Sequence, residues 1–262
     1  MEKKILYLLT CVGLCWSSCT NEVDEFIGNV EPSTRSVSTA LNANLASLFT
    51  GGAPTLTSAE IKEVNDAYAK MTSINCYRNI DEAVRYKTSY AGTIFLDDTY
   101  ASAYFRKGSL AFPPYGILAS SMEHEFIHMY QRDVQGKKVD TDKEKRDTGM
   151  MEFELAFYQG IIRYIHAGYS WTFKGEDGDP SYQSLWTSGL TDPSLIPQNE
   201  REFQTYVASI CANGKPTSID INEFVKWSNI FGEYSRGYSG KGYKFGNYDY
   251  GTSCINSLLK LY

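Results

Sequence analysis

Residues 121–131 read SMEHEFIHMYQ and contain the pattern H-E-x-x-H, formed by His124, Glu125 and His128. On a helix, residues four positions apart lie on one face, with their Cβ atoms about 5–6 Å apart. Both imidazoles can then reach one metal ion at the roughly 2.0–2.1 Å of a Zn–N bond. Glu125 follows the first histidine directly, where a carboxylate can reach a water in the open coordination position. The stretch therefore predicts a helix with two zinc ligands, His124 and His128, and a general base, Glu125.

The residues around this pattern are largely apolar, which predicts a buried helix from about Gly116 to Arg132. Histidines and glutamates on a buried helix are costly unless something binds them, and a metal ion is the simplest partner. If the pattern arose by chance instead, the two histidines would be ordinary surface or packing residues. Gln131 lies three residues after His128, where it either orients that ligand or is solvated.

The amino-terminal residues 1–18 have the pattern of an export signal. Lys3 and Lys4 precede an apolar run that is too short to span a bilayer as a helix. The following Ser17-Ser18-Cys19 resembles the lipobox of bacterial lipoproteins, which implies that Cys19 is the lipidated first residue of the mature chain. That resemblance implies a location in the cell envelope, and Thr20 after the cysteine is compatible with the outer membrane. An ordinary secretory signal or a short membrane anchor is the alternative.

The remaining chain divides by composition into a tether and one domain. Residues 19–54 are rich in small, polar and acidic residues and predict a flexible tether, although 39–50 have the spacing of a short helix. Residues 55–262 are long enough for one domain with a sizeable core, which we expect to be a monomer. The net charge of −6 and the pI near 5.2 argue against a nucleic-acid partner.

Local signals in this domain predict an α+β fold that is mostly helical. Thr57 and Glu60 form a capping-box pattern that opens a helix to about Met71. Three β-branched or aromatic runs follow, at 92–96, 100–105 and 110–112, and predict a small sheet just ahead of the H-E-x-x-H helix. Further helices are predicted at 80–86, 148–166, 199–211, from 220 and from 254. Three cysteines remain after Cys19, so at most one disulfide is expected, with its pairing open.

The helix predicted at 148–166 offers two candidates for a third zinc ligand, Glu152 and Glu154. Catalytic zinc takes three protein ligands and keeps one open position. Residues two apart on a helix are separated by about 200°, so only one of these glutamates can face the metal. His166 is roughly 20 Å from Glu152 along the helix, and we expect it to have a packing or helix-terminal role.

A sheet, an H-E-x-x-H helix and a second helix with a glutamate together resemble the zincin metallopeptidases, specifically the gluzincin branch. The run Glu152-Phe153-Glu154-Leu155 is similar to an E-F-E-A variant in zinc-binding metallopeptidase lipoproteins of gut bacteria. This resemblance favours Glu152 as the ligand, but Leu155 stands where a small residue is usual, so Glu154 stays open.

The resemblance implies a Zn²⁺-dependent peptidase that acts on a peptide or protein substrate. Its ligands would be His124, His128 and Glu152, and Glu125 would be its general base. One alternative is a non-catalytic metal-binding surface lipoprotein that binds glycan or protein through the Tyr-rich residues 234–251. The other is a structural lipoprotein without a metal. The sequence does not define a cleavage preference.

Overall fold

A computed structural model describes residues 40–51, 55–100, 102–137, 145–166, 168, 172–174, 180–182, 198–212, 215–234 and 243–262. The predicted export signal, Cys19 and most of the tether lie outside these residues. Part of the Tyr-rich segment, residues 235–242, also lies outside them.

The described residues form helices and five short strands. The helices are α1 (Ala43–Leu48), α2 (Ser58–Ser73), α3 (Asn75–Lys87), α4 (Ala119–Met129), α5 (Lys145–His166), α6 (Gln198–Ile210), α7 (Ile221–Tyr234) and α8 (Ser253–Lys260). A π-helical turn, Tyr130–Val134, continues α4, and a 3₁₀ turn, Tyr248–Tyr250, precedes α8. The strands are β1 (Ile94–Leu96), β2 (Tyr104–Arg106), β3 (Ser109–Phe112), β4 (Thr172–Lys174) and β5 (Pro180–Tyr182). The protein is mostly helical with a small sheet, in line with the predicted α+β class.

One compact unit contains the described residues up to Met71 together with Thr88–Glu125. The short helix considered for residues 39–50 is confirmed as α1, in which Leu45 and Leu48 are buried. The predicted capping box is also confirmed. The Thr57 backbone N–H donates to Glu60 Oε2 at 2.6 Å, and the Glu60 N–H donates to Thr57 Oγ1 at 3.3 Å.

The three predicted β runs form one sheet in the order β1-β3-β2. The central strand β3 pairs in parallel with β1 and antiparallel with β2, which leaves β1 and β2 as the sheet edges. Gly92 allows the chain ahead of β1 to approach the β2–β3 turn, because a Cβ there would lie 2.2 Å from the Gly108 carbonyl oxygen. The predicted sheet ahead of the H-E-x-x-H helix is therefore confirmed.

The second compact unit contains Thr72–Lys87 and the described residues from Phe126 to Tyr262. Its long helix α5 contacts both α7 and α8. An aromatic core surrounds the middle of α5, and its rings are Phe153, Phe157, Phe203, Phe224, Trp227 and Phe231. Four of these rings come from the helices predicted at 199–211 and from 220, which the structure confirms as α6 and α7.

The structure extends one sequence prediction and refines another. The helix predicted at 80–86 is longer, since α3 spans Asn75–Lys87 and buries Cys76, Tyr77, Ile80 and Val84. Cys76, Cys211 and Cys254 are all buried free thiols, so no disulfide joins them.

None of the helices in the described residues has the length and apolar character needed to cross a membrane.

Candidate metal site

Helix α4 presents His124 and His128 on one face, one turn apart. Apolar side chains fix this helix, because Met122, Phe126 and Ile127 are fully buried. The two imidazoles are less enclosed than these neighbours, with 20% and 18% of the side chain exposed. The helix therefore holds both rings in a defined position while leaving them accessible to a small ligand.

Glu152 of α5 joins the two histidines. One ligand atom from each of His124, His128 and Glu152 lies within 4.8 Å of the others. The contact between His128 Nε2 and Glu152 Oε1 is 3.4 Å, and 15% of the Glu152 side chain is exposed. Two imidazole nitrogens and one carboxylate oxygen are a donor set that zinc takes in catalytic sites. This group could hold a metal ion, and its chemistry fits zinc.

Glu154, the other glutamate that the sequence left open, lies in the protein interior. Its side chain is fully buried, and its Oε2 accepts hydrogen bonds from Gln131 Nε2 and from the Tyr250 hydroxyl, both at 2.8 Å. Burial raises the pKa of the Glu154 carboxyl, while hydrogen bonds from Cys254, Gln131 and Tyr250 oppose the shift. As the helical spacing predicted, only one of the two glutamates lies with the histidines.

Gln131 connects His128 to this buried carboxyl. Its Oε1 lies 2.8 Å from His128 Nδ1, and its Nε2 donates to the Met151 carbonyl oxygen at 2.9 Å as well as to Glu154. Gln131 is itself fully buried within the π-helical turn. Of the two roles considered for Gln131 from the sequence, orientation of a ligand agrees with these contacts and solvation does not.

Glu125 lies beside the histidines but outside the group of three. Its side chain is buried, and its Oε1 is 4.0 Å from His124 Nε2. A carboxylate in this position can exchange a proton with a water or substrate group near the histidines, without itself being one of the three ligands.

Tyr243 is a residue near the site that the sequence did not single out. Burial raises the pKa of its phenol, and the negative charge of Glu152 raises it further. Tyr243 is therefore within electrostatic range of a predicted ligand. The local sequence marks it only as one of several tyrosines in a Gly-rich segment, so no short-range signal distinguishes it.

His166 lies away from the metal group, as predicted. It occupies the last position of α5, and its ring contacts that of Tyr262 edge-on, with 6.4 Å between centroids. Burial lowers its pKa.

No protein family, curated protein or solved structure matches the chain. The functional argument therefore depends on the site itself.

Proposed function

We propose that this protein is a zinc-dependent metallopeptidase of the zincin type, with His124, His128 and Glu152 as its zinc ligands. The observation that carries the proposal is the convergence of the three donor atoms within 4.8 Å. The buried Glu125 next to the first histidine supplies the one further group that hydrolysis requires.

The chemistry follows from the positions of these groups. Zinc, when bound, acidifies a water molecule and polarises a carbonyl oxygen. The Glu125 carboxylate accepts a proton from the attacking water and then donates that proton to the nitrogen of the leaving amine. His128 would bind the metal through Nε2, which lies 3.4 Å from Glu152 Oε1, because its Nδ1 already contacts Gln131 Oε1 at 2.8 Å.

Zinc content tests the ligand set. The chain without its export signal should bind about one zinc per molecule, measured by elemental analysis after gel filtration. His124→Ala and Glu152→Ala should each lose the metal, whereas loss only in His124→Ala would remove Glu152 from the ligand set. A wild-type chain that binds no zinc after reconstitution would contradict the proposal.

Substitution of Glu125 tests the enzyme against a non-catalytic metal-binding protein. Glu125→Gln should retain zinc and lower hydrolysis of a mixed peptide library by about 10²–10⁴-fold, the usual contribution of a general base. Glu123→Gln is the matched control, because Glu123 is also buried on α4 and lies about 200° around the helix. If the wild type and Glu125→Gln hydrolyse the library at the same rate, Glu125 is not the general base, and the non-catalytic metal-binding protein is favoured.

For the location of the protein, we propose a cell-envelope lipoprotein anchored through Cys19 at the outer membrane. The support is the lipobox-like Ser17-Ser18-Cys19 after a basic and apolar amino terminus. In a Gram-negative host, the wild type should partition with outer-membrane vesicles and Cys19→Ala should not. Identical partitioning of the two chains would contradict lipid anchoring at this cysteine.

A further inference from the structure

We propose that Gln131, Glu154 and Tyr250 form a relay of positioning residues that fixes His128 in the tautomer required of a metal ligand. The inference deepens the proposed function and rests on its metal site. None of the three residues belongs to the group of ligand atoms, and the relay acts on the metal only through His128.

The first step of the relay is the orientation of the Gln131 amide. The amide nitrogen has two acceptors, the Met151 carbonyl oxygen at 2.9 Å and Glu154 Oε2 at 2.8 Å. If the amide turned over, its oxygen would face these two acceptor oxygens, and both hydrogen bonds would be lost. Its oxygen therefore faces His128 Nδ1 at 2.8 Å and can only accept. The hydrogen of a neutral His128 must then be on Nδ1, which leaves the lone pair of Nε2 for a metal ion.

The second step is the carboxyl of Glu154, which defines where the Gln131 nitrogen points. Glu154 is fully buried, and the same oxygen, Oε2, accepts from both Gln131 and Tyr250. A buried acceptor of this kind is costly to leave without donors. The carboxyl therefore favours the one amide orientation that presents a donor to it.

The third step anchors Tyr250. Its ring and carbonyl group both contact Lys137, which follows the π-helical turn: Lys137 Nζ donates to the Tyr250 carbonyl oxygen at 2.7 Å and lies 3.8 Å from the ring centroid. Asn247 caps the 3₁₀ turn that carries Tyr250, since its Oδ1 accepts from the Asp249 N–H at 3.1 Å. The carboxy-terminal segment is thereby connected to a ligand of the metal site through named hydrogen bonds.

The π-helical turn explains why Gln131 can serve both partners. The turn starts directly after α4, and the Gln135 N–H donates to the Tyr130 carbonyl oxygen at 3.1 Å, one residue further back than in an α-helix. Such wide turns are frequent at functional sites. Here the turn places Gln131 between His128 on α4 and Glu154 on α5.

A purely structural role for Glu154 and Tyr250 would satisfy buried polar groups without affecting His128. The histidine tautomer separates the two explanations, and the chain suits this measurement because it contains three histidines in all. The experiment is a long-range ¹H–¹⁵N correlation spectrum of the imidazoles in the metal-free chain. The nitrogen shifts distinguish a protonated ring from either neutral tautomer, so the spectrum is recorded at a pH at which the rings are neutral.

The relay predicts that metal-free wild-type His128 is held as the Nδ1–H tautomer. Gln131→Met removes the acceptor and should give a mixture of tautomers at His128. Gln135→Met is the matched control, since it removes the amide of the residue that ends the same turn, and that amide contacts Tyr130 rather than His128. The resonances of His166, at the end of α5, report whether each variant is folded. A wild-type His128 in the Nε2–H form, or an unchanged tautomer in a folded Gln131→Met, would overturn the proposal.

Glu154 and Tyr250 are tested by the same spectrum and by zinc affinity, measured by competition with a chromophoric chelator. Gln131→Met, Glu154→Met and Tyr250→Phe should weaken zinc binding about 10–100-fold, the range for outer-shell partners. Glu154→Gln keeps an acceptor oxygen and should restore both the tautomer and most of the affinity that Glu154→Met loses. If Glu154→Gln does not restore the tautomer and the affinity, Glu154 is not part of the relay. If Tyr250→Phe lowers thermal stability but leaves zinc affinity and the tautomer unchanged, Tyr250 is not part of it.

The two proposals can fail separately. If the wild type binds no zinc, the proposed function fails, while the spectrum of the metal-free chain still decides the relay. If zinc binds and peptides are not hydrolysed, the zinc affinities of the variants decide the relay without reference to activity.

Discussion

At the scale of single residues, the phenol of Tyr243 is the hydroxyl that we expect to act on the substrate. It is within electrostatic range of Glu152, whose charge adds to burial in raising the pKa of Tyr243. A phenol is protonated at neutral pH, and a pKa shifted upward does not change this, so the hydroxyl can donate a hydrogen bond. A donor near the ligands can stabilise the negative charge that develops on a carbonyl oxygen during attack by water.

We therefore predict that Tyr243→Phe lowers kcat by about 10²–10³-fold, the usual effect of removing one such donor. Zinc affinity should change little, because Tyr243 is not among the three ligands. Steady-state kinetics with a fluorogenic peptide, together with zinc titration, measure the two effects. Tyr248→Phe is the control, since Tyr248 is in the same segment and is 58% exposed. Similar kcat values for both variants and the wild type would exclude Tyr243 from the reaction.

The residues of the site differ in how far the sequence could define them. His124 and His128 follow from the four-residue spacing alone, and the angle between Glu152 and Glu154 shows that one of them must face away. The choice between the two glutamates needs the orientation of α5 relative to α4, which no local pattern contains. The role of Gln131 depends on a π-helical turn, and periodicity rules assume regular α-helix. Tyr250 reaches Glu154 across 96 positions of sequence, which only tertiary packing brings together.

At the scale of elements, the first turns of α5 are packed against the segment that carries Tyr243. A Cβ on Gly149 would lie 2.4 Å from the carbonyl oxygen of Lys244, so this close approach requires glycine. Asn247 Nδ2 also donates to Asp147 Oδ1 at 3.3 Å. Helix α5 thus carries the proposed ligand Glu152 and positions the segment next to it.

Gly149→Ala tests this packing. On an exposed helix the change would stabilise by about 1 kcal/mol. Here we expect a net loss of stability, because overpacking a tight site costs about 1–3 kcal/mol and the added methyl group would clash with the backbone of Lys244. The measurements are the free energy of unfolding in urea and kcat, and both should fall as the segment moves away from α5. Lys244→Ala is the control, since the contact involves the backbone of Lys244. A more stable and fully active Gly149→Ala would contradict the proposed contact.

The elements that the sequence predicted well are those with strong local signals. The capping box at Thr57 and Glu60 defines the start of α2, and β-branched and aromatic runs define the small sheet. Helix α3 was predicted too short, and no acidic residue marks its first turn. That turn is stabilised by burial of Cys76 and Tyr77, which is a tertiary effect.

At the scale of the whole molecule, the folded chain includes residues ahead of position 55, where the composition suggested a tether. Leu45, Leu48 and Phe49 are at most 3% exposed. The Tyr90 N–H donates to the Leu48 carbonyl oxygen and the Thr50 N–H donates to the Tyr90 carbonyl oxygen, both at 2.7 Å. Composition assigned these residues to the tether because they are rich in small and polar side chains, and only three side chains between residues 40 and 51 are buried.

We predict that the chain from residue 40 to 262 retains the thermal stability of the chain from residue 20, whereas the chain from residue 55 does not. Each buried apolar side chain contributes about 1.5–3 kcal/mol, so the loss of three approaches the 5–15 kcal/mol that typically stabilises a domain. Circular dichroism melts of the three chains measure this. Leu45→Ala in the chain from residue 20 is the matched point variant. It should lower the free energy of unfolding by about 2–5 kcal/mol, because Leu45 is fully buried. Equal melting temperatures for the chains from residues 40 and 55 would show that α1 contributes nothing to stability, and the tether would then extend to residue 54 as its composition suggests.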